Sequence, residues 1–237
     1  MDIEPRAIDI ARLRLWLSLM VDEEDFAQIR PLPNLRYKIV QGDALQQMER
    51  HVFNNEKEDR LHRLVATHVD TARPSEKERL QAKIDDLLGE GKFNFRLYFG
   101  TVFEEQGGFD AVIGNPPYVR QQAHSTLSKE EKKQFETHYG TADLYVHFIE
   151  RGMQPLRKWG VFCYVVNNKW MRARYGKPLR QWPKRQNLIE LVDFKDLPVF
   201  QGTIAYPHIP RTRREDSDAE FRAVEVGDLD IRISPCT

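Results

Sequence analysis

The chain has 237 residues, 41% of them hydrophobic, enough to bury one sizeable core, and no run of eighteen apolar residues suited to a membrane span. Its 36 basic and 36 acidic residues cancel, so overall charge points to no particular partner and only local charge is informative. Two cysteines, Cys163 and Cys236, with no Cys or His at ligand spacing beside them, argue against a disulfide framework and a zinc site; with no signal-peptide pattern in "MDIEPRAIDI", a cytoplasmic location is expected.

Pro5 suits the first turn of a helix, and Ala7, Ile8, Ala11, Leu15 and Leu19 follow at helical spacing, so a helix is predicted almost at once. After the breaker "RPLPN", the stretch "LRYKIVQGD" reads as a short strand through Tyr37, Ile39 and Val40, ending at Gly42. Residues 46–90 are charged and poor in β-branched residues, and predict one or two exposed helices inserted between strands. "FDAVIGN" is a continuous apolar run that predicts a buried strand with a sharp stop. "TADLYVHFIERGMQPLRKWG" predicts an amphipathic helix closed by a basic turn and Gly160, and "VFCYVVNN" a further buried strand. "KWMRARYGKPLRQW" reads as a helix interrupted near Gly176 and Pro178, "LIELVDF" as a strand, and "LPVFQGTIAYPHI" as a loop running into an edge strand. Residues 211–237 add a polar turn and at most one strand.

This alternation predicts an α/β fold, a doubly wound, mostly parallel open sheet with helices on both faces. Ligands of such sheets bind at the carboxyl ends of strands. That expectation places Asp2, Asp43 and Asn115 on one rim.

The most specific local signal is "GNPPYVR", residues 114–120, directly after the predicted strand. A Pro-Pro pair alone is common, but Asn before and Tyr after reduce the chance expectation to on the order of one in a thousand chains of this length. Proline lacks an N–H and pushes the preceding residue toward extended backbone, so the carbonyls of Asn115 and Pro116 are left as acceptors beside the Asn115 amide oxygen. Two acceptors a few ångströms apart suit an exocyclic –NH2, whose lone pair is then turned toward an electrophile. Tyr118 offers a flat face for the ring that carries the amine, and stacking there contributes roughly 1–3 kcal/mol. That is comparable with the few kcal/mol needed to extrude a base from a duplex.

"NPPY" after a strand resembles the catalytic motif of S-adenosylmethionine-dependent methyltransferases that act on amino nitrogens, chiefly adenine in DNA. "DIEPRAIDIARLRLWLSL", "LPNLRYKIVQGDAL", "HYGTADLYVHFIERG", "NNKWMRARYGKPLR" and "LPVFQGTIAYP" extend the likeness to the adenine methyltransferase core of type IIG restriction-modification enzymes, over residues 1 to about 208. The resemblance implies a Rossmann-like methyltransferase fold and a methyltransferase domain over 1–210 with a helical insertion at about 46–90, followed by an extension over 211–237. It implies S-adenosylmethionine as cofactor, with Asp2 on the ribose hydroxyls, Ile3 against its adenine, and Asp43 and Ala44 at the adenine amino group. It further implies Asn115, Pro116, Pro117 and Tyr118 around the target adenine, with Phe200 stacked on its other face. Each has a plainer reading: Asp2 as a helix N-terminal acid, Asp43 as a turn cap, and Phe200 as core.

Residues 167–187, "NNKWMRARYGKPLRQWPKRQN", carry Lys169, Arg172, Arg174, Lys177, Arg180, Lys184 and Arg185 and no acid, with Trp170, Tyr175 and Trp182 between them. That pattern suits a phosphate backbone and unstacked bases, so double-stranded DNA is the expected partner; a solvated helix face is the alternative. In the family's order of motifs a glycine-rich cofactor loop precedes the ribose acid, whereas Met1 precedes Asp2 here and the only G-x-G, "GEG" at 89–91, does not follow a strand. The expectation is therefore an N-terminally truncated form with little methyl transfer by itself. Three alternatives stay open: a non-catalytic DNA-binding remnant, a complementing subunit whose second polypeptide supplies the loop, and a methyltransferase acting on RNA or protein glutamine.

Overall fold

The computed structural model describes residues 2–21, 38–45, 55–71, 73–88, 95–118, 127–140, 142–181, 186–200, 206–216 and 220–229. Contacts divide the chain into two compact units, Met1–Thr101 and Val102–Thr237. No described helix is long and apolar enough to cross a membrane.

In the first unit, helix α1 (Pro5–Met20) starts where the sequence places it, with Pro at its start and Glu4 as N-cap accepting from the Arg6 amide. Ile8 is buried, but Ile10, Leu13, Leu15 and Leu17 are exposed. Arg12 donates to the Ile39 carbonyl at 2.8 Å and so ties α1 to the segment around residue 40. The strand expected over "YKIVQG" is not formed: Tyr37 lies outside the described residues, 38–39 make a turn and bend, and a single parallel bridge joins Asp2 to Gln41. Helices α2 (Asn55–Asp70) and α3 (Pro74–Leu88) form within the predicted insertion. Leu61, Leu64 and Val65 recur on one face of α2 and pack with Ile84 and Leu87 of α3 and with Tyr98.

Among the described residues the second unit holds a six-stranded sheet. Its strands are β1 (Phe109–Gly114), β2 (Leu156–Tyr164), β3 (Val166–Asn167), β4 (Asn187–Asp193), β5 (Pro207–Arg213) and β6 (Arg222–Glu225), in the order β1-β2-β5-β4-β6 with β3 beside β5. β1 runs parallel to β2 and β4 parallel to β6, whereas β5 is antiparallel to β2, β3 and β4. The fold is thus mixed α/β, and the expectation of a mostly parallel sheet is corrected. So is the edge position expected for the strand after "LPVFQGTIAY": β5 lies inside the sheet, between β2 and β4. Conversely, β1, expected to be buried, is an edge strand whose Ile113 is 81% exposed.

A third correction concerns "LRKWG". The helix here, α4 (Leu144–Met153), ends before it, and Leu156 already begins β2. Phe109 pairs with Leu156 but Ala111 with Val161, so the intervening residues bulge out of β2. At the bulge Trp159 takes φ 70°, its amide donating to the Arg214 carbonyl at 3.1 Å, and Arg214 N donates back to Gly160 O at 2.9 Å. These cross-strand bonds hold a non-glycine residue in left-handed backbone.

Tyr145, Val146, Ile149 and Met153 of α4 meet Leu156, Phe162 and Val166 of the sheet, with Trp170 and Leu179 completing the core. Gly152 permits this approach, since a Cβ there would lie 2.6 Å from the Tyr164 hydroxyl and 2.8 Å from the Phe162 ring. Buried Glu150 anchors the preceding loop: its carboxylate accepts from Glu136 N at 3.1 Å, Thr137 N at 2.9 Å and Thr137 Oγ1 at 2.8 Å. Each buried donor stripped of its acceptor costs about 1–3 kcal/mol. Glu150→Ala is therefore expected to lower unfolding stability by at least about 3 kcal/mol in urea titration, against a negligible change for exposed Glu130→Ala; equal midpoints would remove the anchor.

Candidate functional site

At the carboxyl end of β1 the Gly114 carbonyl accepts from Val165 N at 2.9 Å, which fixes the point where the chain leaves the sheet. Asn115, Pro116, Pro117 and Tyr118 follow as irregular backbone, with Asn115 and Pro117 exposed and Pro116 buried. No described backbone amide donates to the Asn115 or Pro116 carbonyl, as expected where prolines follow. The buried Pro116 anchors the loop and leaves the Asn115 amide facing solvent.

Two aromatic candidates distant in sequence come together. The Tyr118 and Phe200 ring centroids lie 6.1 Å apart at an interplanar angle of 75°, and Tyr145 stands edge-on to Tyr118 on a separate contact, 6.4 Å and 76°. An edge-on pair leaves no parallel slot, so a base stacking between Tyr118 and Phe200 requires one ring to turn. The Tyr118 hydroxyl is buried and has no hydrogen-bond partner among the described residues, and burial pushes its pKa up to about 12.

Tyr145, which the sequence did not mark as a site residue, adjoins this pair and leads on to Tyr175 of the basic segment and to Asp143, also unmarked. Tyr145, fully buried, has its hydroxyl 3.1 Å from that of Tyr175, which donates to Asp143 Oδ2 at 2.9 Å. Burial, then the bond to Tyr175, raises the Tyr145 pKa. The sequence signal was modest: an Asp directly before an apolar helix, a Tyr in its first turn, and one more Tyr within the basic segment.

That basic segment divides into two roles. Lys169, Arg172, Arg174 and Lys177 are exposed, and none forms an ion pair among the described residues. They sit on the 3-10 turns Asn168–Met171 and Arg174–Gly176 and the short helix Lys177–Gln181, rather than on one interrupted α-helix. Gly176 is required by this folding back, because a Cβ there would meet the Trp170 carbonyl oxygen at 1.8 Å. Trp170, expected as a base-stacking aromatic, is instead buried in the core, its indole N–H donating to His208 Nε2 at 2.9 Å. Arg180 is likewise structural, donating to the carbonyls of Trp170 and Ala173. Trp182, Lys184 and Arg185 lie outside the described residues.

The cofactor candidates are brought together in the first unit. Asp2 bridges Gln41, Gly42 N donates to Asp2 O at 2.9 Å, and Gln41 Nε2 donates to Ile3 O at 3.1 Å, so Asp2 and Ile3 lie beside the turn that carries Asp43 and Ala44. Ile3 is 66% exposed. Asp2 Oδ1 accepts from Glu4 N and Asp43 Oδ1 from Leu45 N, each at 2.9 Å, so both acids cap local backbone. Among the described residues no group of three or more His, Cys, Asp or Glu side chains could hold a metal ion. These acids and the exposed Ile3 suit hydroxyl, amino and ring groups of an adenosine; "GEG" at 89–91 lies outside the described residues, and nothing described suits a methionine moiety.

Known proteins give the same reading of the motifs a wider frame. Over 117 residues the chain is 40% identical to the type II methyltransferase M.PaeR7I of Pseudomonas aeruginosa, covering 48% of this chain and 20% of that protein. It is 34% identical over 121 residues to the type II methyltransferase M.XhoI of Xanthomonas vasicola, covering 50% of this chain and 22% of that protein. With the type II restriction enzyme and methyltransferase RM.Eco57I of Escherichia coli it shares 30% identity over 126 residues, covering 51% and 12% respectively. The chain thus spans about a fifth or less of the length of these relatives. A solved nuclease-deletion mutant of the Type ISP restriction-modification enzyme LlaGI, in complex with a DNA substrate mimic, is similar at 20% identity and a TM-score of 0.40, covering 55% of this chain and 16% of that one. Residues 1–200, which include both groups of candidate residues, match the family described as Eco57I restriction-modification methylase, and the chain belongs to that family.

Proposed function

We propose that this chain carries the target-base part of a site-specific DNA methyltransferase that modifies the N6 amino group of adenine within a restriction-modification system. The observation that supports it most is the strand-end loop of Asn115 and Pro116, with its backbone carbonyls unengaged by described amides, leading into a Tyr118 ring packed on Phe200. In this reading the extruded adenine stacks on Tyr118 after Phe200 turns, and its amino group donates to the Asn115 side-chain oxygen and the Pro116 carbonyl. Those bonds draw the nitrogen lone pair out of conjugation, and the surplus proton leaves to solvent, so no histidine or carboxylate need act as base. S-adenosylmethionine, when bound, supplies the electrophilic methyl group; Asp2, Ile3, Asp43 and Ala44 are the residues proposed for its adenosine part, and residues 1–210 the proposed methyltransferase domain.

RNA and protein glutamine offer the same planar amine. The exposed cations Lys169, Arg172, Arg174 and Lys177 favour a nucleic acid over a peptide, and the match to a restriction-modification methylase family favours DNA over RNA; on B-DNA each phosphate neutralised adds about 0.9 to the salt-dependence slope. Replacing Arg172, Arg174 and Lys177 by Ala is expected to flatten the slope of log affinity against log salt by up to about 2.7. An unchanged slope removes this segment from the interface. Labelled methyl transfer from S-adenosylmethionine, measured in the assembly that transfers methyl groups and with unmethylated DNA, RNA and a glutamine peptide in competition, tests the substrate class: label on adenine N6 of DNA is expected, and preferential label on either competitor overturns the assignment.

A further inference from the structure

We propose that Asp143, Tyr175 and Tyr145 form a positioning relay that holds Tyr118 in place and joins it to the exposed basic segment; its functional meaning rests on the reading of Tyr118 as the base-contacting ring. Asp143 is the N-cap of α4, where a carboxylate ordinarily accepts from the first-turn amides, yet its side chain makes no capping bond. Its Oδ2 takes the Tyr175 hydroxyl instead. Because a carboxylate only accepts, Tyr175 must spend its proton there, which leaves Tyr145 to donate to the Tyr175 oxygen. The order Tyr145 to Tyr175 to Asp143 fixes the rotation of a fully buried phenol.

Tyr118 needs such a fixed neighbour. Among the described residues its own hydroxyl finds no partner, and its ring meets Tyr145 and Phe200. Tyr175 in turn lies between Arg174 and Lys177, both exposed, on the turn that would meet phosphate. Movement of that turn therefore reaches Tyr118 through one hydroxyl contact, Tyr175 to Tyr145, and one ring contact, Tyr145 to Tyr118. Asp143, Tyr145 and Tyr175 touch no reacting atom in this scheme and act only through Tyr118.

Carbon-13 labelling of tyrosine rings tests the relay on the full chain, with the Tyr118 resonance assigned from Tyr118→Phe. Tyr175→Phe is expected to shift and broaden the Tyr118 signal in the free protein. Tyr139→Phe, at an exposed tyrosine outside the relay, should leave it unchanged, and Asp143→Asn, which keeps an acceptor oxygen, should perturb it less than Asp143→Ala. Circular dichroism and thermal midpoints confirm that each variant is folded, and the two Asp143 variants decide the matter if Tyr175→Phe is not. Adding duplex DNA should move the Tyr118 signal in the wild type, whereas Tyr175→Phe, measured at DNA concentrations that saturate it, should lose that movement. A Tyr118 signal indifferent to Tyr175 and Asp143, or a DNA-induced shift that survives Tyr175→Phe, overturns the relay. Failure of the wild type to bind DNA sinks the nucleic-acid reading and the coupling to the basic turn, while the free-protein signal still decides whether the relay positions Tyr118.

Discussion

Replacing Asn115 with Ala is expected to lower methyl transfer to adenine in unmethylated DNA by about 10²–10³-fold in kcat, with DNA affinity little changed. Both halves of that expectation follow from where the residue sits. Asn115 is exposed at the end of β1, so its removal leaves no cavity and little folding penalty. What is lost is one of two preorganised acceptors on the amino group, and such groups act mainly on the transition state, where the nitrogen becomes positive. Asn115→Asp keeps an acceptor oxygen and should retain more activity than Asn115→Ala. Tyr118→Ala should act differently, weakening the extruded base by roughly 1–3 kcal/mol. That loss reads as lower fluorescence of 2-aminopurine placed at the target position, a measurement that needs no cofactor. In the assembly that transfers methyl groups, wild-type kcat with Asn115→Ala would dismiss the acceptor role outright. An unchanged kcat with weakened DNA affinity would assign Asn115 to ground-state binding instead.

The features legible in the sequence are those that local chemistry decides. Pro5 and the apolar spacing after it specify a helix start, and "FDAVIG" followed by two prolines specifies a strand with an abrupt end; both form as expected. Partners of strands are decided elsewhere. Nothing within "PHIPRTR" records that it will run antiparallel between β2 and β4, because that follows from the path of the preceding chain and not from the period of its side chains. "LRKWG" misleads for a related reason: its basic residues resemble a helix end, and only the cross-strand bonds between Trp159, Gly160 and Arg214 make it strand and bulge. The candidate site shows the same division. Asn115, Pro116 and Tyr118 are contiguous and visible, whereas Asp143 and Tyr175 are joined across 32 positions, and Trp170 loses its apparent surface role to a histidine 38 positions away.

That histidine, together with His147, is expected to make stability fall as the pH drops below 6.5. His208 Nε2 accepts the Trp170 indole proton, so its own proton must be on Nδ1, where it donates to the Val166 carbonyl at 3.0 Å; the ring is held neutral and saturated. Burial first of all lowers its pKa to about 4. His147 is held similarly low, to about 4, by burial and then by the neighbouring charges of His138 and Lys132, with its Nε2 3.1 Å from His138 Nδ1. Both folded-state values lie below the unfolded value of about 6.5, so the unfolded chain takes up protons first as acid is added. The stabilisation is complete above pH 6.5 and is lost as pH falls from there toward 4. Linkage gives about 2 kcal/mol for each ring between pH 8 and pH 5, about 4 kcal/mol for the pair if they titrate independently. That is a large share of the 5–15 kcal/mol typical of a domain. Urea midpoints across that range should record the loss. His208→Gln, whose amide can accept from Trp170 without gaining a charge, should be less stable at pH 8 yet lose only about half as much on acidification. Midpoints that hold level from pH 8 to 5 in the wild type would mean that neither ring is kept neutral by the fold, and an undiminished loss in His208→Gln would place the sensitivity outside the Trp170 contact.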